Sequence, residues 1–249
     1  MPTKKKSVRR SAALSEALED LVVAYRILAM QEVLDAFGHV SIRHPEQPDH
    51  YFISRSLAPE LVTGADIMKF DLDSNVIGGD DRKPFTERFI HGQLYAARPD
   101  VMAIVHSHSP SVVPYGVAGV QLKPVYHMSG FLRQGTPIFN IRTHRRNNDM
   151  LIRDNELGVA LAKTVGAHCV CLMRGHGNVI VAPDVRLAVF RSIYTEMNAR
   201  LQLQVKLLGG KAMFLSDDEA AGAEAANIAS LERPWKLWKA KAMRAMEQE

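Results

Sequence analysis

Leu14, Leu18, Leu21, Tyr25 and Leu28 recur at spacings of four and three, which is one face of a long amphipathic helix running from Ser11 to a stop expected at Gly38. The pattern then changes period. His39-Val40-Ser41-Ile42-Arg43 and Tyr51-Phe52-Ile53-Ser54 predict two strands joined by the turn from Pro45 to Asp49. A second pair, Ile67 to Leu72 and Val76-Ile77, brackets Asp73-Ser74-Asn75 as a hairpin. Thr86 is placed to cap a helix from Glu87 to about Ala97, with Pro99 beyond its end, and a strand over Val101 to His106 follows.

A further helix is expected after Ser109, a strand over Pro137 to Ile141, and a helix opened by Asp154 that runs to about Val165. His168 to Met173 and Asn178 to Ala182 predict two strands around a turn containing His176. Pro183-Asp184 then starts a long helix with apolar positions at Leu187, Phe190, Tyr194, Met197 and Leu201, stopped by Gly209-Gly210. Direct hairpins among alternating helices and strands predict an α/β protein whose mixed sheet is covered by helices. There is no internal repeat, and the one biased stretch is Ala-rich, from Ala220 to Ala226.

The chain has 249 residues and is 47% hydrophobic, enough for one large domain over 11–249 with a helical tail from about 217. Its net charge of +4 suggests an acidic partner until the distribution is read. Lys4, Lys5, Lys6, Arg9 and Arg10 precede the first helix, and setting those five aside turns +4 into −1. The body is therefore near neutral, residues 1–10 are expected to be a disordered basic arm, and neither nucleic acid nor membrane is an expected partner. No apolar run approaches the roughly 18 residues of a membrane span, and no secretory leader is recognisable, so a cytoplasmic protein is expected. Cys169 and Cys171 lie two apart in an apolar strand and are expected to be buried thiols.

The candidate chemistry lies at the end of the strand before Pro110. In Val105-His106-Ser107-His108-Ser109, alternate side chains share a face, so His106 and His108 can offer imidazole nitrogens to one ion. His176, in the glycine-flanked turn Arg174-Gly175-His176-Gly177, is a third candidate, and three histidines with an open position describe a catalytic metal site. Against this stands the fact that a single histidine on an apolar strand is more often structural. By that measure His91 is expected to line helix packing, and His44, His50 and His144 to be surface or loop residues.

Six motifs in order carry a family resemblance: Gly38-His39-Val40-Ser41-Ile42-Arg43, the segment from Asp66-Ile67 to Asp71-Leu72, Thr86-Glu87, Arg98-Pro99-Asp100, His106-Ser107-His108 and Gly175-His176-Gly177. From about Leu14 to Gly210 the chain resembles the class II aldolase/adducin superfamily. The resemblance implies a three-layer α/β/α fold with a mixed, largely antiparallel sheet, and a homotetramer with active sites between subunits. It also implies a divalent ion on His106, His108 and His176, with Glu87 as the acid/base residue.

The departures from the sugar-phosphate aldolases of that family carry as much information. Their phosphate loops correspond here to Gly38-His39 and Ser54-Arg55-Ser56-Leu57, where Leu57 and Phe85 obstruct a phosphate nest and Arg55 offers a planar fork suited to a carboxylate. His127, in Tyr126-His127-Met128, stands where the aldolases have a proton-donating tyrosine. With Phe89-Ile90-His91-Gly92 and Arg233-Pro234-Trp235, these changes resemble the decarboxylase branch of the superfamily. That branch includes enzymes resembling 3-hydroxy-2-methylpyridine-4,5-dicarboxylate decarboxylase, dihydroxyphthalate decarboxylase and 2-hydroxy-3-carboxymuconic semialdehyde decarboxylase.

The expected activity is therefore release of CO2 from a hydroxy-substituted aromatic, or ring-cleaved muconate-type, dicarboxylate through a metal-stabilised enolate. Mn2+ or Zn2+ is the expected ion, since three imidazoles with a carboxylate accept either. Glu87 and His127 are the expected proton carriers. His39, Ser54, Arg55, Ser56, Thr86 and Tyr126 are expected to bind substrate. The alternatives are a retro-aldolase acting on a non-phosphorylated 2-keto or hydroxy acid, and a non-enzymatic scaffold of the adducin kind, which would be expected to have lost ligands that this chain keeps.

Overall fold

In a computed structural model, which describes residues 11–248, one seven-stranded sheet organises the chain. The expected basic arm over 1–10 lies outside the described residues. The strands are β1 (His39–Arg43), β2 (His50–Ser54), β3 (Ile67–Asp71), β4 (Ala103–Ser107), β5 (Ile138–Phe139), β6 (Val170–Met173) and β7 (Gly177–Ala182). Their spatial order is β3-β2-β1-β4-β7-β6-β5, and every neighbouring pair is antiparallel except β5 with β6. This is the mixed, largely antiparallel sheet that the sequence predicts.

Both faces are covered, so both alternating sets of strand side chains are apolar. On one face Val40, Ile42, Ala103, Val105, Ile180 and Ala182 pack with residues of α1 (Ala12–Met30) and α5 (Val185–Leu207). On the other, Ile104, Val179, Val181, Tyr51 and Phe70 pack with residues of α2 (Arg88–Ala97) and α4 (Asn155–Val165). Asp154 and Asp184 cap α4 and α5, each accepting a bond from a backbone N–H three residues on. The short helix α3 (Val113–Ala118) follows β4.

Three local expectations are corrected. The first helix ends at Met30 rather than Gly38: Glu32 turns to φ +56, and the N–H groups of Val33 and Leu34 both reach Leu28 O. Gly38 serves the next element instead, because at φ +88 an added Cβ would lie 2.9 Å from His106 O. Val76 makes an isolated bridge to Phe70 rather than starting a strand, since the turn at Ser74 (φ +66) leaves only Ile77 N bonded to Lys69 O beyond it. Thr86 does not cap α2. Glu87 occupies the cap position without making a cap hydrogen bond, its carboxylate being engaged elsewhere.

The chain closes with α6 (Asp217–Ala229), which contains the Ala-rich stretch, and α7 (Glu232–Met246). Trp235, Trp238 and Ala242 join the core built around α1, while Lys239 and Arg186 converge on the buried Asp20 at 3.0 and 2.9 Å. No helix among the described residues is long and apolar enough to cross a membrane.

At the β4–β7 seam an added Cβ on Gly177 would run into the carbonyl of Ser107 and lie 3.2 Å from His108 Cα. Backbone cannot yield as a flexible side chain can. Gly177→Ala is expected to cost about 1–3 kcal/mol, the usual penalty of overpacking. Thermal or denaturant unfolding checks this, and an unchanged midpoint contradicts the close approach.

Candidate metal centre

Four neighbouring elements deliver the site. The register of β4 against β7 places His106 opposite Val179 and Ser107 opposite Asn178, so His108, one residue past β4, arrives beside the turn that carries His176. That turn passes through Gly175 at φ +68, a conformation available to glycine without steric cost. On the other side, β1 places His39 directly opposite His106. Helix α2 lies over this face with Glu87 at its N-terminal end and His91 one turn later.

Glu87, His106, His108 and His176 each offer one ligating atom, and these atoms all lie within 4.8 Å of one another. Glu87 Oε2 is 3.7 Å from His106 Nε2 and 3.4 Å from His176 Nε2, and the Nε2 atoms of His176 and His108 are 3.1 Å apart. Two imidazole nitrogens bound to a shared ion at about 2.0–2.1 Å sit at about this separation. His106 Nε2 is buried and has no hydrogen-bond partner among the described residues, whereas its Nδ1 lies 3.1 Å from Asn178 O. If Nδ1–H donates to that carbonyl, Nε2 is left as a lone pair directed at the cluster, the usual outer-shell arrangement of a metal-ligating histidine. The donor set therefore fits a divalent ion.

The surrounding bonds hold these groups in place. Glu87 Oε1 accepts the backbone N–H of Ile152 at 2.9 Å, which leaves Oε2 for the cluster. Ser107 Oγ donates to Asn178 Oδ1 at 2.8 Å, tying the seam a second time. Beside the cluster, His39 Nδ1 and His91 Nε2 are 2.6 Å apart, His91 Nδ1 and Ser41 Oγ are 2.6 Å apart, and Ser41 Oγ and Tyr95 OH are 2.8 Å apart. Burial first, and neighbouring imidazoles second, hold His39, His91 and His106 well below the ordinary histidine value of 6.5. His108 is lowered by burial and by His176, against the opposing pull of Glu87 and Asp35.

A cleft of about 400 Å³ opens over the cluster, lined in part by Phe37, His39, Ser56, Leu57, Phe85, Thr86 and Leu151. Of the substrate-binding candidates it gathers His39, Ser56 and Thr86. Ser54 lies fully buried beneath, bonded to Tyr25 OH at 3.1 Å. Arg55 does not line the cleft, and its Nε is fastened to Asp66 at 2.7 Å. Tyr126 and His127 also lie outside it: the His127 carbonyl accepts from Asn227 of α6 at 2.8 Å, and Tyr126 packs against Tyr194. The sequence assigns His91 only to helix packing and gives no site role to Ser41, Tyr95 or the Ile152 N–H. His91 had a usable signal, its four-residue spacing from Glu87 on one helix face; a backbone N–H carries none.

The buried neutral rings fix the sign of a pH effect. The folded-state values of His39, His91 and His106 lie below 6.5, so above 6.5 the stability is full. Below it the unfolded chain takes up protons that the folded rings refuse. Stability is then lost as pH falls toward the folded values, at up to about 1.4 kcal/mol per pH unit for each ring. Metal-free protein is expected to melt progressively lower between about pH 6.5 and about pH 5, above the range where most carboxylates titrate. A flat melting temperature across that window contradicts the burial of neutral imidazoles.

Comparison with known proteins identifies the family. Residues 19–203 match the family described as "Class II Aldolase and Adducin N-terminal domain". Decarboxylase tropJ of Talaromyces stipitatus is 37% identical over 85% of this chain and 88% of its own length. The 3,4-dihydroxyphthalate decarboxylase of Arthrobacter keyseri is 31% identical over 82% of this chain and 85% of its own. Among solved structures, L-fuculose 1-phosphate aldolase from Glaciozyma antarctica PI12 superposes with a TM-score of 0.78 at 22% identity, covering 98% of this chain and 96% of that one, a likeness of fold. Two relatives more than 30% identical over more than four-fifths of this chain are thus decarboxylases, and the chain belongs to the class II aldolase/adducin family.

Proposed function

We propose that the protein is a divalent-metal-dependent carboxy-lyase that removes CO2 from a hydroxy-substituted aromatic, or ring-cleaved muconate-type, dicarboxylate. The observation that carries this reading is the convergence of Glu87, His106, His108 and His176 in a chain similar to decarboxylases over four-fifths of its length or more. His106, His108 and His176 would hold a Mn2+ or Zn2+ ion, which would supply Lewis-acid stabilisation of the negative charge left when the carbon–carbon bond breaks. Glu87, fixed through Oε1 by Ile152, keeps Oε2 at the reacting centre to accept a proton from the substrate hydroxyl and return it. Leu57 and Phe85 give the cleft apolar walls suited to a planar substrate. His127 is assigned delivery of the proton that replaces CO2. Since it lies outside its own chain's cleft, we place it in a neighbouring subunit's site, in a cytoplasmic homotetramer. Exposed apolar residues at the end of α5 and beyond it, among them Leu207, Leu208 and Met213, support burial of that region in an assembly. Arg55 lies outside the cleft lining but adjoins its residue Ser56 in the chain, and with Nε rather than its terminal nitrogens bonded to Asp66 it is assigned the carboxylate that stays on the product.

Metal-reconstituted protein incubated with a panel of hydroxy-dicarboxylates is expected to release CO2. Formation of an aldehyde and a keto acid instead would establish the aldolase alternative. His106→Ala and His176→Ala are each expected to lower turnover by about 10³-fold or more and to abolish retention of the ion. In the same assay Arg55→Ala should raise KM for dicarboxylates far more than for monocarboxylates, and equal effects on both would remove it from the substrate site.

A further inference from the structure

The hydrogen-bonded chain behind His39 has a direction, and its far end sets it. Tyr95 is 1% exposed, and among the described residues its hydroxyl contacts one hydrogen-bonding group, Ser41 Oγ at 2.8 Å. If Ser41 donated to Tyr95, the phenol hydrogen would be buried with no acceptor, an arrangement native interiors avoid. Tyr95 therefore donates to Ser41. Ser41 has one hydrogen, and its other contact is His91 Nδ1 at 2.6 Å, so that nitrogen accepts. A neutral His91 then carries its proton on Nε2 and donates across 2.6 Å to His39 Nδ1. A neutral His39 must in turn carry its proton on Nε2, which has no partner among the described residues. Each step follows from proton counting on a chain whose four members are all buried.

We infer that Tyr95, Ser41 and His91 are positioning residues that hold His39 in the Nε2–H form, making it a fixed, neutral N–H donor to an acceptor oxygen of the substrate. His39 lines the cleft beside His106, their ring centroids 5.0 Å apart, and no lysine or arginine is among the described residues lining that cleft. A donor of fixed sense selects for an oxygen that accepts, such as a carboxylate or an oxyanion, and against an amine or amide N–H at the same place. The neighbouring His106 is locked in the opposite sense, with its lone pair toward the cluster. Two histidines paired across β1 and β4 thus do complementary work, one ligating and one donating. This assignment adds to the decarboxylase reading the kind of substrate atom that His39 contacts, and rests on that reading for the identity of the substrate.

The test is the tautomer itself. In deuterated, metal-free protein labelled with 15N-histidine, two-bond 1H–15N correlation spectra at neutral pH distinguish protonated from unprotonated ring nitrogens, and His39→Gln identifies the His39 signals by their loss. The expected result is protonated Nε2 and bare Nδ1 in both His39 and His91. In Tyr95→Phe, which keeps the ring that packs 5.5 Å from Tyr51, the shifts should move toward a mixture of both forms. Protonated Nδ1 in His39 of the unaltered protein overturns the inference, as does a tautomer that Tyr95→Phe leaves unmoved. In the turnover assay Tyr95→Phe should lower kcat/KM about tenfold, and should have no further effect in a His39→Gln background. An equal loss in both backgrounds makes Tyr95 merely structural. Protein that releases no CO2 from any candidate yet shows the Nε2–H pattern refutes the decarboxylase reading and keeps this one.

Discussion

The backbone approach between β4 and β7 is the constraint on which the rest of the site depends. His106 and His108 are fixed to one strand and its exit, His176 to the turn that begins the other, and the two meet because Ser107 pairs with Asn178 and Gly177 lets the chains close. Asn178 serves both needs, its side chain accepting from Ser107 and its carbonyl orienting His106. A shift of one residue in this register would turn the histidine side chains to the opposite face of the sheet. Ligand geometry thus comes largely from sheet pairing, with the short turn that carries His176 fixed at both ends by β6 and β7.

Around that seam the two faces of the sheet divide the labour. The face covered by α1 and α5 is a continuous apolar core, into which α7 drives two tryptophans. The face covered by α2 and α4 is apolar over most of its area and turns polar only where β1 and β4 reach the cluster, with Glu87 and His91 above His39 and His106. Buried polar groups are tolerated there because they satisfy one another: carboxylate to Ile152 N–H, imidazole to imidazole, hydroxyl to hydroxyl. The exceptions include His106 Nε2, at the point where an ion would be its partner.

Much of this was legible in the sequence, for identifiable reasons. Alternation and helical period located the main helices and strands, and the His-x-His pair and the glycine-flanked histidine are local signals of a shared face and a tight turn. What failed was either long-range or carried by backbone. The helix that begins at Ser11 stops without a glycine because Val33 and Leu34 fold back onto Leu28, while Gly38 answers to a carbonyl nearly seventy residues away. Thr86 looks like a cap only until Glu87 is seen to be held by Ile152. A histidine within an apolar helix face is ordinarily a packing residue, as His91 is in sequence terms; its role depends on Ser41 and Tyr95, which no spacing rule links. Arg55, Tyr126 and His127 show the opposite limit, since motif position alone did not place them in this chain's own cleft.

The central claim is that three imidazoles from one chain hold a single divalent ion. X-ray absorption spectroscopy of protein loaded with one equivalent of Zn2+ or Mn2+ tests it most directly, because outer-shell scattering from imidazole rings counts the histidines bound. The account predicts one ion per chain with three imidazole ligands, falling to two in His106→Ala if any ion is retained. A spectrum of oxygen ligands alone, or the same imidazole count after that substitution, would contradict it.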